Sequence, residues 1–129
     1  MKRSIFSFVA IALLLVACGQ SQQSNGSAGN QTTPEDNGKQ LFVNNCSQCH
    51  SINQDKMGPK LTGVVSRWNN DTTQVKSFIK NSQQIINSKQ NAYASKLFTD
   101  WNQAAMPSFP NLSDKDINDI LAYIYKGQD

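Results

Sequence analysis

The pentapeptide "CSQCH", Cys46 to His50, holds two of the chain's three cysteines and its only histidine. No other stretch limits the fold as tightly, since these residue types at this spacing exist to hold something. A metal ion, a disulfide and a covalently attached group are the three candidates. A structural zinc needs four ligands. Outside the pentapeptide the sequence has no further histidine and only Cys18 as a further cysteine, so zinc fails on ligand count. A thioredoxin-like dithiol needs a strand–helix–strand setting, and no alternating apolar pattern of useful length suggests a strand.

The rest of the chain sets the context. Lys2 and Arg3 precede "IFSFVAIALLLVA", a run of 13 residues that is too short for a spanning helix and suits a signal-peptide core. It ends in "LVAC", Leu15 to Cys18, which resembles the bacterial lipoprotein lipobox. That resemblance implies diacylglycerol on Cys18 after removal of residues 1–17. An ordinary cleaved signal with a free cysteine, or an uncleaved anchor, is the alternative. Residues 18–33 then form the lipidated cysteine and a Gly/Ser/Gln/Asn-rich tether, with no apolar residue larger than alanine after Cys18. Such a segment cannot bury itself, and it reaches roughly 20 Å on average and about 50 Å when stretched. The globular domain is expected over 34–129.

Two of the twelve basic residues lie in the leader, so the remainder carries ten basic against nine acidic side chains. That balance excludes nucleic-acid binding by charge. If Cys18 takes lipid and Cys46 and Cys49 belong to the pentapeptide, no cysteine is left for a structural disulfide. A small exported domain without one needs another source of stability, and a large buried cofactor would supply it.

Four helices are expected. Thr33 caps the first, with Pro34 at its first position and Glu35 and Asp36 in the first turn, and the helix runs into Cys46. The second starts after Asp71 and carries Val75, Phe78, Ile79, Ile85 and Ile86 to an end near Lys89. The third covers "AYASKLFTDW", with Tyr93, Leu97 and Trp101 along one side. In the fourth, Ser113 and Asp116 form a capping box, and Leu112 and Ile117 form a staple across it. Ile117, Ile120, Leu121 and Ile124 make its stripe, and Gly127 ends it. The loops "DKMGPKLTG" and "MPSFPNLS" lie between. The class is all-α.

Cys-x-x-Cys-His is the signature of covalent c-type haem attachment. Two cysteines three apart at a helix end reach the two vinyl groups of one porphyrin, and His50 falls under the iron as an axial ligand. With no second histidine, the common strong candidate for the sixth position is methionine. Met57 lies seven residues past His50, in the loop expected on the histidine side. Met106 lies 56 residues past it, before Pro107 in an interhelical loop, and is the better placed. Its plain alternative is a core methionine.

At these residues the chain resembles class I cytochrome c, the small monohaem family, over about Gly38 to Tyr125. "GKQLFVNNCSQCH" is similar to the family's first helix and haem motif, "GPKL" to its proline loop, and "MPSFPNLSDKDINDILAYIY" to its ligand loop and last helix. The resemblance implies three to four helices around one haem c joined to Cys46 and Cys49, with His50 and Met106 as ligands. It implies that Gly38 and Phe42 pack against Tyr123, and that the Pro59 carbonyl accepts a hydrogen bond from His50. It also places Arg67 and Trp68 of "GVVSRW" near the haem propionates, the alternative being an exposed arginine beside a half-buried tryptophan.

The function implied is electron transfer rather than catalysis, by a monomer held on a bacterial membrane by its lipid and facing the periplasm or outer side. The partners expected are redox proteins such as a quinol-oxidising complex, a terminal oxidase or a dehydrogenase. A haem-based gas sensor or weak peroxidase is the alternative if Met106 does not stay bound.

Overall fold

Thr33 opens the described part of the chain, residues 33–128 of a computed structural model. The apolar leader, Cys18 and the tether up to residue 32 lie outside it. The Thr33 hydroxyl accepts from the Asp36 amide, and Pro34 begins α1 (Pro34–Asn45), where a missing N–H costs nothing. Glu35 and Asp36 fall in the first turn, where negative charge suits the helix dipole. There follow α2 (Val64–Arg67), α3 (Thr72–Lys80), α4 (Ser82–Ser88), α5 (Ala92–Asp100) and α6 (Asp114–Lys126), with no strand among the described residues. The all-α class is as expected.

Two features differ from the expected four helices. The turn α2 is launched by Gly63 at φ 66°, in the left-handed region that glycine enters without a Cβ clash. A single turn is too short to show helical periodicity. The expected second helix is also broken: Asn81, at φ −156° and ψ 82°, ends α3 and caps α4, its side chain accepting from the Gln84 amide. Asparagine bonds its own neighbouring backbone well enough to compete with helix continuation. The apolar spacing of Val75 to Ile86 hid this competition.

α6 forms as its sequence implies. The Ser113 hydroxyl accepts from the Asp116 amide, and the Asp116 carboxylate accepts from the Ser113 amide. Gly127 closes the helix, but at φ −81° it uses no left-handed freedom. A Cβ there would lie 2.4 Å from Ile52 Cδ1, so this glycine makes room for the loop after the pentapeptide.

α1 packs across α6. At the crossing a Cβ on Gly38 would lie 2.0 Å from the Asp119 carbonyl oxygen, so only glycine permits the approach. One turn on, Phe42 and Tyr123 pack with ring centroids 5.4 Å apart. Asp119 is buried beside the crossing, where its carboxylate accepts from the Asn37 amide at 2.7 Å and the Lys115 ammonium at 2.6 Å. Phe42, Ile120 and Ile124 form one core cluster. Trp68, Val75 and Ala94 form a second, joined by the half-buried Phe78, Tyr93 and Leu97. Val64 and Leu121 pack against both clusters.

Candidate functional site

The end of α1 delivers the pentapeptide. The Cys46 amide donates to the Phe42 carbonyl at 2.8 Å, and the coil goes on for one more turn, with the His50 amide donating to the Cys46 carbonyl at 2.9 Å. The two half-buried thiols are thus presented from one continuous turn and are free. Burial, and secondarily the neighbouring Cys49, push the Cys46 thiol up to about 11. Exchange-active dithiols need a lowered thiol pKa, a feature that Cys46 lacks.

His50 Nδ1 lies 2.7 Å from the Pro59 carbonyl oxygen. A carbonyl only accepts, so Nδ1 carries the proton and Nε2 keeps its lone pair for a metal. The same peptide group is held at its other end, where the Lys60 amide donates to Asp55 Oδ1 at 2.7 Å. Gly58 lets this loop lie flat on the imidazole; a Cβ there would be 2.5 Å from His50 Cε1. Its amide donates back to the Cys49 carbonyl at 2.9 Å.

Arg67 straps the same loop. Its guanidinium donates to the Lys60 carbonyl at 2.7 Å, to the Thr62 carbonyl, and through Nε to the Tyr93 hydroxyl at 3.0 Å. Trp68 is not half-buried but 4% exposed. It packs at a tilt against Phe78 and edge-to-face against Tyr93, with ring centroids 5.0 and 5.3 Å away. Both residues line a cavity of about 300 Å³ with Cys46, Cys49, His50, Pro59 and Met106.

A second cavity of about 300 Å³ shares Cys49, His50, Pro59 and Met106 with the first. Met57 also lines it, yet is 72% exposed. Met106 is half-buried and belongs to both cavities. Cys46, Cys49, His50, Pro59, Arg67, Trp68 and Met106 are thereby brought to one place, while Cys18 lies outside the described residues.

Three participants went unnoticed in the sequence. Tyr93 stands with Leu97 and Trp101 along one side of the expected third helix, Asp55 in the loop "DKMGPKLTG", and Ser82 inside the expected second helix, and no local pattern marks them. Ser82 is fully buried and its hydroxyl donates to the Met106 carbonyl.

These residues suit a large flat apolar group fixed by two sulfurs and one imidazole. The walls include Leu61, Val64, Phe78, Ile79 and Ile124, and the thiol of Cys46 is desolvated. The imidazole is fixed in one tautomer, and glycine stands where a Cβ would strike it. Among the described residues, no cluster of three or more His, Cys, Asp and Glu comes together to hold a bare metal ion.

Comparison with known proteins agrees. The family model described as cytochrome c matches residues 35–128. Over 94 residues the chain is 30% identical to cytochrome c6 of Cyanidium caldarium, covering 73% of this chain and 72% of that one. Among solved structures, a cytochrome c from Rhodothermus marinus superposes with a TM-score of 0.63 at 21% identity, covering 76% of this chain and 79% of that one. At that identity the likeness speaks for the fold. A polypeptide whose helix end offers a cysteine pair and histidine to an apolar cavity belongs to the cytochrome c family, the electron-transfer haem proteins, and Cys46 and Cys49 carry its haem c covalently.

Proposed function

We propose that this chain is a lipid-anchored electron carrier in which His50 Nε2 and the Met106 thioether are the two axial ligands of a single haem. The observation that carries this reading is that His50, its tautomer set by Pro59, and Met106 line the same two cavities as the cysteine pair. Bound haem supplies a one-electron iron couple, and pairing an imidazole with a thioether raises its potential.

The chain's own residues do the rest. Cys46 and Cys49 fix the group to the end of α1. The peptide between Pro59 and Lys60, gripped by Asp55 and Arg67, orients the His50 ring and strengthens it as a ligand. Trp68, Phe78, Leu121 and Ile124 keep water away. A guanidinium has more N–H groups than the three acceptors of Arg67 use, and we assign the remainder to a propionate.

If His50 and Met106 both hold the haem iron, they would leave no position for a substrate, which favours a carrier over a gas sensor or peroxidase. Arg67, already bonded to Lys60, Thr62 and Tyr93, is poorly suited to peroxide cleavage. The "LVAC" stretch supports an acyl anchor on Cys18, after a leader of residues 1–17 and before a tether to residue 33. The domain of 34–129 then faces the periplasm or the outer side of a bacterial membrane. Its partners are redox proteins, a quinol-oxidising complex, a terminal oxidase or a dehydrogenase, met through small transient interfaces.

Protein extracted from membranes and titrated spectroscopically is expected to show one reversible one-electron transition and an acylated Cys18. The absence of any redox transition would refute the carrier. A chain lacking Cys18 or carrying it unmodified would refute the anchor alone.

A further inference from the structure

The break between α3 and α4 does something that an unbroken helix could not. Asn81 leaves helical geometry, and the next residue, Ser82, becomes fully buried. Its hydroxyl donates to the backbone carbonyl of Met106 at 2.5 Å. Three residues further along the same loop, the Phe109 amide donates to the Ile79 carbonyl at 3.1 Å. The loop is therefore tied at Met106 and again at Phe109 to the two sides of the α3–α4 junction. Met106 is followed by Pro107, which brings no amide donor of its own. Among the described residues, the Ser82 hydroxyl is the one hydrogen-bond partner of the Met106 backbone.

We infer that Ser82 is the positioning residue for the Met106 thioether, and that it sets how readily this axial ligand gives way. The inference rests on Met106 being the ligand. Its physical basis is that a side chain leaving a metal must carry its backbone some distance. A carbonyl pinned inside the protein resists that movement, and a carbonyl stripped of its buried donor does not. The device explains why a helical run of otherwise good spacing is interrupted by an asparagine and a buried serine. The interruption costs helical hydrogen bonds and returns a fixed ligand loop, a local rule broken at a functional position.

Imidazole displaces a weakly held axial ligand from ferric haem, so its affinity reports how firmly the sixth position is closed. The test titrates imidazole into haem-loaded wild type, Ser82→Ala, Ser82→Thr and Met106→Ala, with thermal melts alongside. Ser82→Ala is expected to bind imidazole about tenfold more tightly than wild type, as loss of one buried donor implies. Ser82→Thr keeps the hydroxyl and is expected to return to the wild-type affinity. Ile117→Val, a buried substitution in α6, serves as the control: it is expected to lower the melting temperature and leave imidazole affinity unchanged.

Two failures are distinguishable. If Met106→Ala binds imidazole no better than wild type, Met106 is not the ligand and the reading beneath the inference falls. If Met106→Ala opens the site but Ser82→Ala stays within twofold of wild type, or Ser82→Thr is as loose as Ser82→Ala, the positioning role of Ser82 is overturned and the ligand stands.

Discussion

Gly38 has no side chain, yet it decides how the first and last helices meet. A Cβ at this position would lie 2.0 Å from the Asp119 carbonyl oxygen and 2.5 Å from its carbon. Both are backbone atoms, so nothing can rotate aside. Gly38→Ala is expected to destabilise the folded domain by about 2 kcal/mol or more, measured as a lowered urea midpoint with an unchanged slope. A midpoint equal to wild type would mean that the crossing relaxes freely. Gly58 and His50 illustrate the same logic at the site, where a missing Cβ lets a loop rest on an imidazole. These glycines were legible in the sequence through resemblance to known patterns, whereas Ser82 was not. Serine is common on helix surfaces, and nothing in its neighbours' spacing shows that a helix will stop one residue before it.

At the scale of elements, the first, third and fourth expected helices formed where expected, as α1, α5 and α6, and the second did not form as one helix. α1 and α6 carry caps, first-turn acids and apolar stripes that agree with one another. The interval between His50 and Ala92 carries only short apolar groupings, and there the fold added α2 and split α3 from α4. The junction of α1 and α6 also carries a pH dependence. Asp119 is held below the ordinary carboxylate value, first by the Lys115 ammonium and next by the Asn37 amide. A carboxyl lowered in the folded state stabilises the fold above the unfolded value of about 3.9, and that stabilisation is lost as pH falls towards the folded value. Asp119→Asn is expected to melt at a lower temperature than wild type at pH 7. The gap between the two is expected to narrow as pH drops from about 5 to 2. Parallel melting curves across that range would show that Asp119 contributes nothing to the acid transition.

At the scale of the molecule, the described residues gather into two small apolar clusters, with cavities lined by the pentapeptide. The chemistry of the site was mostly readable from the sequence, because haem attachment concentrates its signature in five consecutive residues. The supports of that chemistry were not, because Asp55, Tyr93 and Ser82 act through contacts between distant segments that no local pattern records. The central claim is that an imidazole and a thioether from this chain close both axial positions. Exposing the dithionite-reduced protein to carbon monoxide tests it most directly. The unaltered protein is expected to keep its low-spin spectrum and take up the gas slowly, whereas Met106→Ala takes it up at once. Rapid binding by the unaltered reduced protein would contradict the claim.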